Sequence, residues 1–249
     1  MEIILIIIVA LILGSFFIVV GLRIPKGESI VHPRSHCINC NATLSVKDLI
    51  PVISLLFSKG KCRHCKTSVS FIYPMFELLT AIGFVSMYLK FGFTGEFLIG
   101  ATLVSLLIII SISDIRYMMI PDKVLLFFIS IILIEHILYP LNNWFDLLVG
   151  GLVGFVMLLC IAVISRGSMG GGDIKLFGVL GIVLGVKFVL LAFFLSTFFG
   201  TLFSVYYYAR GTYVRGKKVP FGPFIAMGAY SSFLFGEDVI DWYLLLLFR

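Results

Sequence analysis

Long apolar runs recur along this chain, and they constrain its fold more than any other feature of the sequence. A run of about 20 apolar residues is long enough to cross a bilayer as an α-helix. Of the 249 residues, 60% are hydrophobic and 13% are charged, whereas about a quarter of a soluble domain is charged. We therefore predict an all-α polytopic membrane protein with about eight transmembrane helices. The candidate helices cover residues 2–21, 72–89, 96–113, 123–139, 146–165, 174–185, 188–209 and 222–247.

Three of these runs need comment. Residues 2–21 are too long and too uniform for a signal peptide and lack a small-residue cleavage site, so we expect a retained first span. Residues 174–185 are few and rich in glycine, which is typical of a tilted or partly re-entrant segment. Residues 222–247 are interrupted near their C-terminal end by a glycine and three acids, which predicts a span followed by a short outer helix. These interrupting residues are Gly236, Glu237, Asp238 and Asp241.

Basic residues are concentrated on one side of the membrane if the N-terminus lies outside. Sixteen of the 19 lysines and arginines then fall in inner segments, and the exceptions are Lys90, Lys187 and Arg249. Cytoplasmic loops carry the excess of basic residues in membrane proteins, so we predict a multi-pass protein with both termini outside. The same rule accounts for the net charge of +6, and no nucleic-acid partner is expected.

One segment, residues 22–71, is polar enough to lie outside the bilayer. It divides the chain into a first transmembrane helix (1–21), a small cytoplasmic loop domain (22–71) and a membrane core (72–249). A domain of about 50 residues buries too little apolar surface to be stable without a staple such as a metal ion or disulfides.

The staple is visible as two CxxC motifs in this loop. Cys37 and Cys40 form the first, Cys62 and Cys65 form the second, and 21 residues separate the two motifs. Four thiolates at this spacing suit tetrahedral zinc, and four protein ligands leave no open position for water, so the zinc would be structural. A cytosolic loop stays reduced, which disfavours two disulfides.

Alternatives to that ligand set exist in the same segment. The cysteines could be redox-active or free thiols, and His36 or His64, beside the motifs, could replace one of them as ligand. Cys160 lies in an apolar run, where we expect a small buried hydrophobe.

Two aspartates lie at the edges of apolar runs, where a carboxylate is costly. Asp114 occurs in SISDIRYMMIPD and Asp173 in MGGGDIKLFG. A charge at membrane depth costs about 2.5–3.5 kcal/mol on insertion scales and therefore marks function. Two further runs separate the positions, so both carboxylates return to the same face of the membrane. A pair of carboxylates that shares one proton is the minimal equipment of an aspartic protease.

The predicted helix ends differ for the two carboxylates. Asp114 falls at the C-terminal end of the third run, where the helix dipole disfavours an anion, and Asp173 falls at an N-terminal start, which favours one. The sequence therefore predicts an ionised Asp173 and a shared proton on Asp114.

Other polar residues near the runs carry open interpretations. A phosphate-binding loop at glycines 170–172 is disfavoured, because the Lys-Ser/Thr ending of such a loop is absent. Lys175 could tune the aspartates, bind a lipid phosphate or simply extend toward water. We favour Asp122 as a helix N-cap. Glu77 could pair with an arginine or line a substrate path.

Several motifs together resemble a known family, and they extend over essentially the whole chain. The sequence resembles the bacterial type IV prepilin peptidases, which are GxGD-type membrane aspartic proteases. Its cysteine-bearing basic loop distinguishes it from the shorter archaeal preflagellin peptidases. The motifs are GSFFIVVGLRIP at 14–25, HPRSHCINC at 32–40, DLIPVISLLFSKGKCRHC at 48–65, YPMFELLTA at 73–81, SISDIRYMMIPD at 111–122, GGGDIKLFG at 171–178 and KVPFGPFIAMGA at 218–229.

This resemblance implies an activity and its residues. Asp114 and Asp173 match the family's catalytic pair, and Cys37, Cys40, Cys62 and Cys65 match its zinc ligands. The family works in the bacterial cytoplasmic membrane, with the active site facing the cytoplasm. Its members remove a short basic leader from prepilins or pseudopilins after a glycine that precedes an apolar helix, and many also methylate the new N-terminus with S-adenosylmethionine.

One residue departs from the family pattern, and three other functions compete. Ile18 stands where the family commonly has Asn, which removes any polar role there. The methyltransferase activity could matter as much as the protease, although no Rossmann-like GxGxxG follows a strand. Intramembrane acids also serve proton-coupled transporters, but the cysteine motifs and the lack of an inverted repeat argue against one. A non-catalytic zinc scaffold would leave the two aspartates unexplained.

Overall fold

The predicted apolar runs are helical in the computed structural model, which describes residues 1–37, 39–45, 48, 51–52, 54, 57–140, 143–165, 169–211 and 219–247. The described residues form seven α-helices, a short 3₁₀ helix at Ile24–Lys26 and no β-strand, so the all-α fold is confirmed. The helices are α1 (Glu2–Arg23), α2 (Ile72–Phe91), α3 (Gly95–Tyr117), α4 (Asp122–Leu138), α5 (Trp144–Ile164), α6 (Gly171–Ala209) and α7 (Gly222–Leu247).

Within the described residues, five of these helices are long and apolar enough to cross a membrane: α1, α2, α3, α5 and α6. The prediction of about eight helices is therefore close but not exact. The difference lies in α6, which spans both the sixth and the seventh predicted run.

Helix α6 folds back on itself at Gly185. This residue has φ 73° and ψ 178°, which is not a helical conformation but one that glycine adopts readily. The rings of Phe177 and Phe193 lie 5.9 Å apart, whereas 16 residues of straight helix would separate them by about 24 Å. Residues 171–184 and 186–209 are thus antiparallel halves, in agreement with the predicted runs 174–185 and 188–209.

Helix α7 is a single helix, so the predicted break into a span and a short outer helix is wrong. Gly236 packs directly on Phe188, where an added Cβ would lie 2.5 Å from the ring. Asp238 forms an ion pair with Lys90 at 2.9 Å. The close packing of Gly236 and the ion pair between Asp238 and Lys90, near the end of α2, therefore explain how these residues fit within one continuous helix.

Glycines bring the helices into backbone contact. An added Cβ at Gly181 would lie 2.0 Å from the carbonyl oxygen of Gly150, and one at Gly154 would lie 2.4 Å from that of Phe177. In α1, an added Cβ at Gly14 would lie 3.0 Å from Cα of Glu77. Because small residues let membrane helices approach closely, these glycines fix how α5 packs on α6 and α1 on α2.

These contacts also fix the direction of each helix. Neighbouring helices in sequence are antiparallel, and the reversal at Gly185 keeps this alternation through α7. The C-terminus of α3 and the N-termini of α6 and α7 therefore meet at the end of the bundle that carries residues 22–71. We call this end the loop end. The division of the chain at residues 21 and 71 stays a prediction.

Candidate active site and metal site

The two aspartates lie at helix ends that meet at the loop end. Asp114 is in the last turn of α3, and Asp173 is the third residue of α6. Asp114 is near enough to Asp173 for the two carboxylates to interact electrostatically. The structure thus brings together, from separate helices, the two residues that the sequence singled out.

Asp114 is buried, with 7% of its surface exposed. Its Oδ2 accepts a hydrogen bond of 2.6 Å from the backbone N–H of Gly222, the first residue of α7. The turn after Asp114 is fixed as well: the Met118 N–H donates to the Asp114 carbonyl at 2.8 Å, and the Ser113 hydroxyl donates to the Met119 carbonyl at 2.5 Å. The carboxylate is therefore held by α7 and by its own helix end.

Asp173 is positioned by the glycines before it. An added Cβ at Gly172 would lie 2.8 Å from Cβ of Ile120, so the start of α6 packs directly on the segment that follows α3. Oδ2 of Asp173 would lie 3.1 Å from a Cβ at Gly170, whereas Gly171 has open space. This close packing explains why position 172 is a glycine. Its lack of a side chain lets the start of α6, and with it Asp173, approach the end of α3.

Asp122 and Lys175 form an ion pair between α4 and α6. The Lys175 Nζ donates to both carboxylate oxygens of Asp122 at 2.8 Å. The N-cap assignment of Asp122 is wrong, because Pro121 holds that position and Asp122 is the first helical residue. The pair borders a groove of about 310 Å³ whose apolar wall is formed by Leu125, Leu126, Ile129 and Val179.

Glu77 joins the loop segment to the helices. It is buried, and its Oε2 accepts a hydrogen bond of 2.8 Å from the backbone N–H of Val52. Val52 has φ 58°, a left-handed conformation that is costly for a β-branched residue. Among the described residues, Glu77 forms this contact instead of the arginine pair that we considered.

The four cysteines of the loop come together. Their Sγ atoms all lie within 4.8 Å of one another, and those of Cys37 and Cys65 are 3.8 Å apart. Four sulfurs at about 2.3 Å from a tetrahedral zinc are separated by about 3.8 Å. The cysteine set Cys37, Cys40, Cys62 and Cys65 therefore fits a zinc ion, in accord with the prediction, and all four are free of disulfides.

The two CxxC motifs adopt the same backbone shape. In the first, the Cys37 N–H donates to Ala42 and the Asn41 N–H donates back to Cys37, both at 2.9 Å. In the second, the N–H of Cys62 donates to the Thr67 carbonyl at 2.8 Å. The residue after each motif, Asn41 or Lys66, has positive φ. Each motif is thus a tight turn that presents two thiols to the other turn.

The surroundings of the cluster shift the thiol pKa values in both directions: those of Cys37 and Cys65 are lowered, whereas hydrogen bonding within the cluster raises that of Cys40 to about 11. The hydroxyl of Thr67, 3.3 Å from Sγ of Cys65, is the main cause that lowers the pKa of this thiol to about 5. His36 contacts the Arg34 carbonyl at 3.1 Å, and neither His36 nor His64 belongs to the cluster. Cys160 is exposed on α5, so its predicted burial is wrong. A metal ligand must be deprotonated, and the low pKa of Cys65 favours that state at one of the four ligands.

One site residue escaped the sequence-based assignment. Gly222 lies in the motif KVPFGPFIAMGA, but no role was given to it, because a backbone donor has no side chain to attract notice. The sequence signal that could have identified this residue is a glycine directly before Pro223, at the start of an apolar run.

Family models match two parts of the chain. A model described as the bacterial peptidase A24 N-terminal domain matches residues 8–91, which include the cysteine loop. The model of the type IV leader peptidase family matches residues 101–205, which include Asp114 and Asp173. No solved structure matches the chain significantly.

Curated relatives cover nearly the whole chain. A protein of Bacillus subtilis (strain 168) named prepilin leader peptidase/N-methyltransferase is 42% identical over 234 residues, which are 94% of each chain. Relatives of the same name from Aeromonas salmonicida (strain A449) and Pseudomonas aeruginosa are 29% and 28% identical, over 85% and 96% of this chain and 75% and 92% of theirs. These matches do not support the transporter interpretation. The chain belongs to the type IV leader peptidase family, in its bacterial branch, and is an enzyme of the aspartic peptidase class.

Proposed function

We propose that this enzyme cuts the short basic leader from type IV prepilins or pseudopilins, after a glycine, with Asp114 and Asp173 as its catalytic pair. The observation that carries the proposal is the meeting of the two carboxylates at one end of the bundle, from α3 and α6. The names of the relatives supply the substrate class.

The pair can activate water directly. One carboxylate is ionised and takes a proton from water, whose oxygen then bonds to the scissile carbonyl carbon. The other carries the shared proton, polarises the carbonyl, and protonates the leaving amine as the C–N bond breaks. Burial of Asp114 keeps both groups in a medium where such charge interactions are strong.

The fold suits a substrate with an apolar helix. Such a helix would lie in the bilayer beside α1 to α7, and its cut site would lie at the loop end. By the positive-inside rule, the basic residues of the loop end support a cytoplasmic location for this end, with both termini outside. We therefore place the active site at the cytoplasmic face of the bacterial cytoplasmic membrane.

Two cofactors accompany this proposal. Cys37, Cys40, Cys62 and Cys65 would hold a structural zinc that cross-links the two turns of the loop. The relatives are also named N-methyltransferases, and we propose that this chain methylates the new N-terminus with S-adenosylmethionine. No residue is assigned to the methyl donor, because no described group forms a recognisable site for it.

The test is cleavage by purified protein in detergent. A prepilin with a basic leader and a Gly-Phe junction is incubated with wild type, Asp114→Asn, Asp173→Asn and the control Asp241→Asn, whose carboxylate is exposed on α7. We expect wild type and the control to cleave, and each dyad variant to lose at least about 100-fold in rate. Mass spectrometry of the product, formed with and without S-adenosylmethionine, detects methylation of the new N-terminus in the same samples. Cleavage that survives either dyad substitution overturns the aspartyl mechanism.

A further inference from the structure

The start of α7 offers one free backbone donor, and Asp114 takes it. The first N–H groups of a helix lack partners within it. Pro223 has no N–H, and the amides of Phe224 and Ile225 donate to the carbonyl of Phe221 at 3.0 Å. The amide of Gly222 remains, and it points at the Asp114 carboxylate at 2.6 Å.

Only glycine fits at this contact. An added Cβ at position 222 would lie 2.8 Å from Oδ2 of Asp114 and 2.9 Å from its Cβ. A side chain here would therefore push the carboxylate away from the amide. Because Gly222 has no side chain, α7 approaches α3 closely enough for the short hydrogen bond to form.

The donor acts on the ionised form of Asp114. A hydrogen bond to a charged acceptor is stronger than one to its neutral form, and the N-terminal end of α7 adds a favourable field. The unfavourable C-terminal end of α3 acts in the opposite direction but is the weaker effect. Among the described residues, the titratable group facing Asp114 from another helix is Asp173, whose negative charge would oppose that of Asp114.

We propose that the Gly222 amide is a positioning group that holds Asp114 as the ionised member of the pair, so that Asp173 carries the shared proton. This inference rests on the proposed function and reverses the assignment that the helix ends alone predict. Asp114 takes the proton from water as the new C–O bond forms. Asp173 gives its proton to the leaving amine as the C–N bond breaks, and the proton on Asp114 then becomes the shared one.

Two substitutions at position 222 separate the effect of side-chain bulk from the effect of losing the hydrogen-bond donor. Gly222→Ala keeps the N–H but displaces the carboxylate, and Gly222→Pro also removes the donor. The alanine variant is expected to fold, since the atom it meets first ends a flexible side chain. Gly200→Ala is the control, because its added Cβ would have only ordinary contacts, at 3.4 Å or more.

The readout is the pH dependence of kcat for prepilin cleavage in detergent. Activity falls at low pH as the base becomes protonated, so weakening the donor to ionised Asp114 moves this acidic limb to higher pH. We expect a shift of about one pH unit for Gly222→Ala and at least as much for Gly222→Pro, with KM nearly unchanged. The control keeps the wild-type profile.

Each outcome is decisive when wild type cleaves. A rate loss without a shift of the acidic limb in Gly222→Ala overturns the inference, and so does a pH profile identical to that of wild type. Should Gly222→Pro fail to fold, the alanine variant still decides. Absence of cleavage by wild type would instead contradict the proposed function, so the two failures are distinguishable.

Discussion

At the scale of single residues, three acidic side chains in the described part of the chain accept hydrogen bonds from backbone N–H groups of distant segments. Asp114 accepts from Gly222 at 2.6 Å, Glu77 from Val52 at 2.8 Å, and Asp146 from Val186 at 3.4 Å. A buried carboxylate needs a donor, and a backbone amide supplies one without adding a countercharge. Among the described residues, no ion pair involves Asp114 or Asp173.

The contact of Glu77 yields a prediction on loop docking. Replacing Glu77 by Leu leaves the Val52 N–H without its partner, so the strained conformation of Val52 loses its support. We expect a destabilisation of loop docking by about 1–3 kcal/mol. Limited proteolysis in detergent checks this by the rate of cutting between residues 48 and 60. The control Glu96→Leu, an exposed acid on α3, should be cut like wild type, and equal rates for all three proteins would contradict the prediction.

At the scale of helices, the close contact between α5 and α6 has no room for a side chain. Gly150 and Gly181 face each other with their backbones in contact, and Asp146 meets the chain at Gly185, where α6 reverses. Residues 171–184, which carry Asp173, are therefore held in place by α5. The position of Asp173 therefore depends on the glycines of this helix contact.

One glycine of this contact makes a sharp test. Gly181→Ala would place its Cβ 2.0 Å from the Gly150 carbonyl oxygen, so α5 and α6 must separate. We expect a loss of at least about 2 kcal/mol of stability, seen as a lower midpoint of thermal unfolding in detergent. Gly178→Ala, one turn away on the same helix, would meet Phe155 at 3.5 Å and the Gly151 carbonyl oxygen at 3.8 Å, both ordinary contacts, and should unfold like wild type. Equal midpoints for both variants would contradict the packing argument.

At the scale of the whole molecule, the sequence predicted well what depends on composition and spacing. The lengths of the apolar runs located the helices, and the spacing of the CxxC motifs identified the four cysteines whose sulfur atoms cluster. The counting of spans placed Asp114 and Asp173 at one end. The sequence could not predict the uninterrupted α7, the role of Gly222 or the Asp122–Lys175 pair, because these depend on contacts between distant segments.

The cysteine cluster gives a prediction for the assembled protein. Removing zinc with a chelator, or substituting Cys62→Ser, should unfold residues 22–71 and leave α2 to α7 helical, because a small domain without a staple lacks a sufficient core. Metal analysis, circular dichroism and proteolysis of the loop check this together. Cys160→Ser is the control, since Cys160 lies outside the cluster. A loop that stays protease-resistant after complete zinc removal would contradict a structural metal.

The reversal of α6 at Gly185 makes the half-helix that carries Asp173 short. The level of Gly185 matches that of Asp146, near the first turn of α5 and its Trp144, a residue typical of the membrane–water boundary. Twelve residues of helix then place Asp173 about 18 Å away, whereas the hydrocarbon layer is about 30 Å thick. This half-helix is thus shorter than an unperturbed hydrocarbon layer is thick, and we expect the lipids around it to thin or to give way to water. On the proposed function, a substrate helix would meet Asp114 and Asp173 in this thinned region without leaving the lipid.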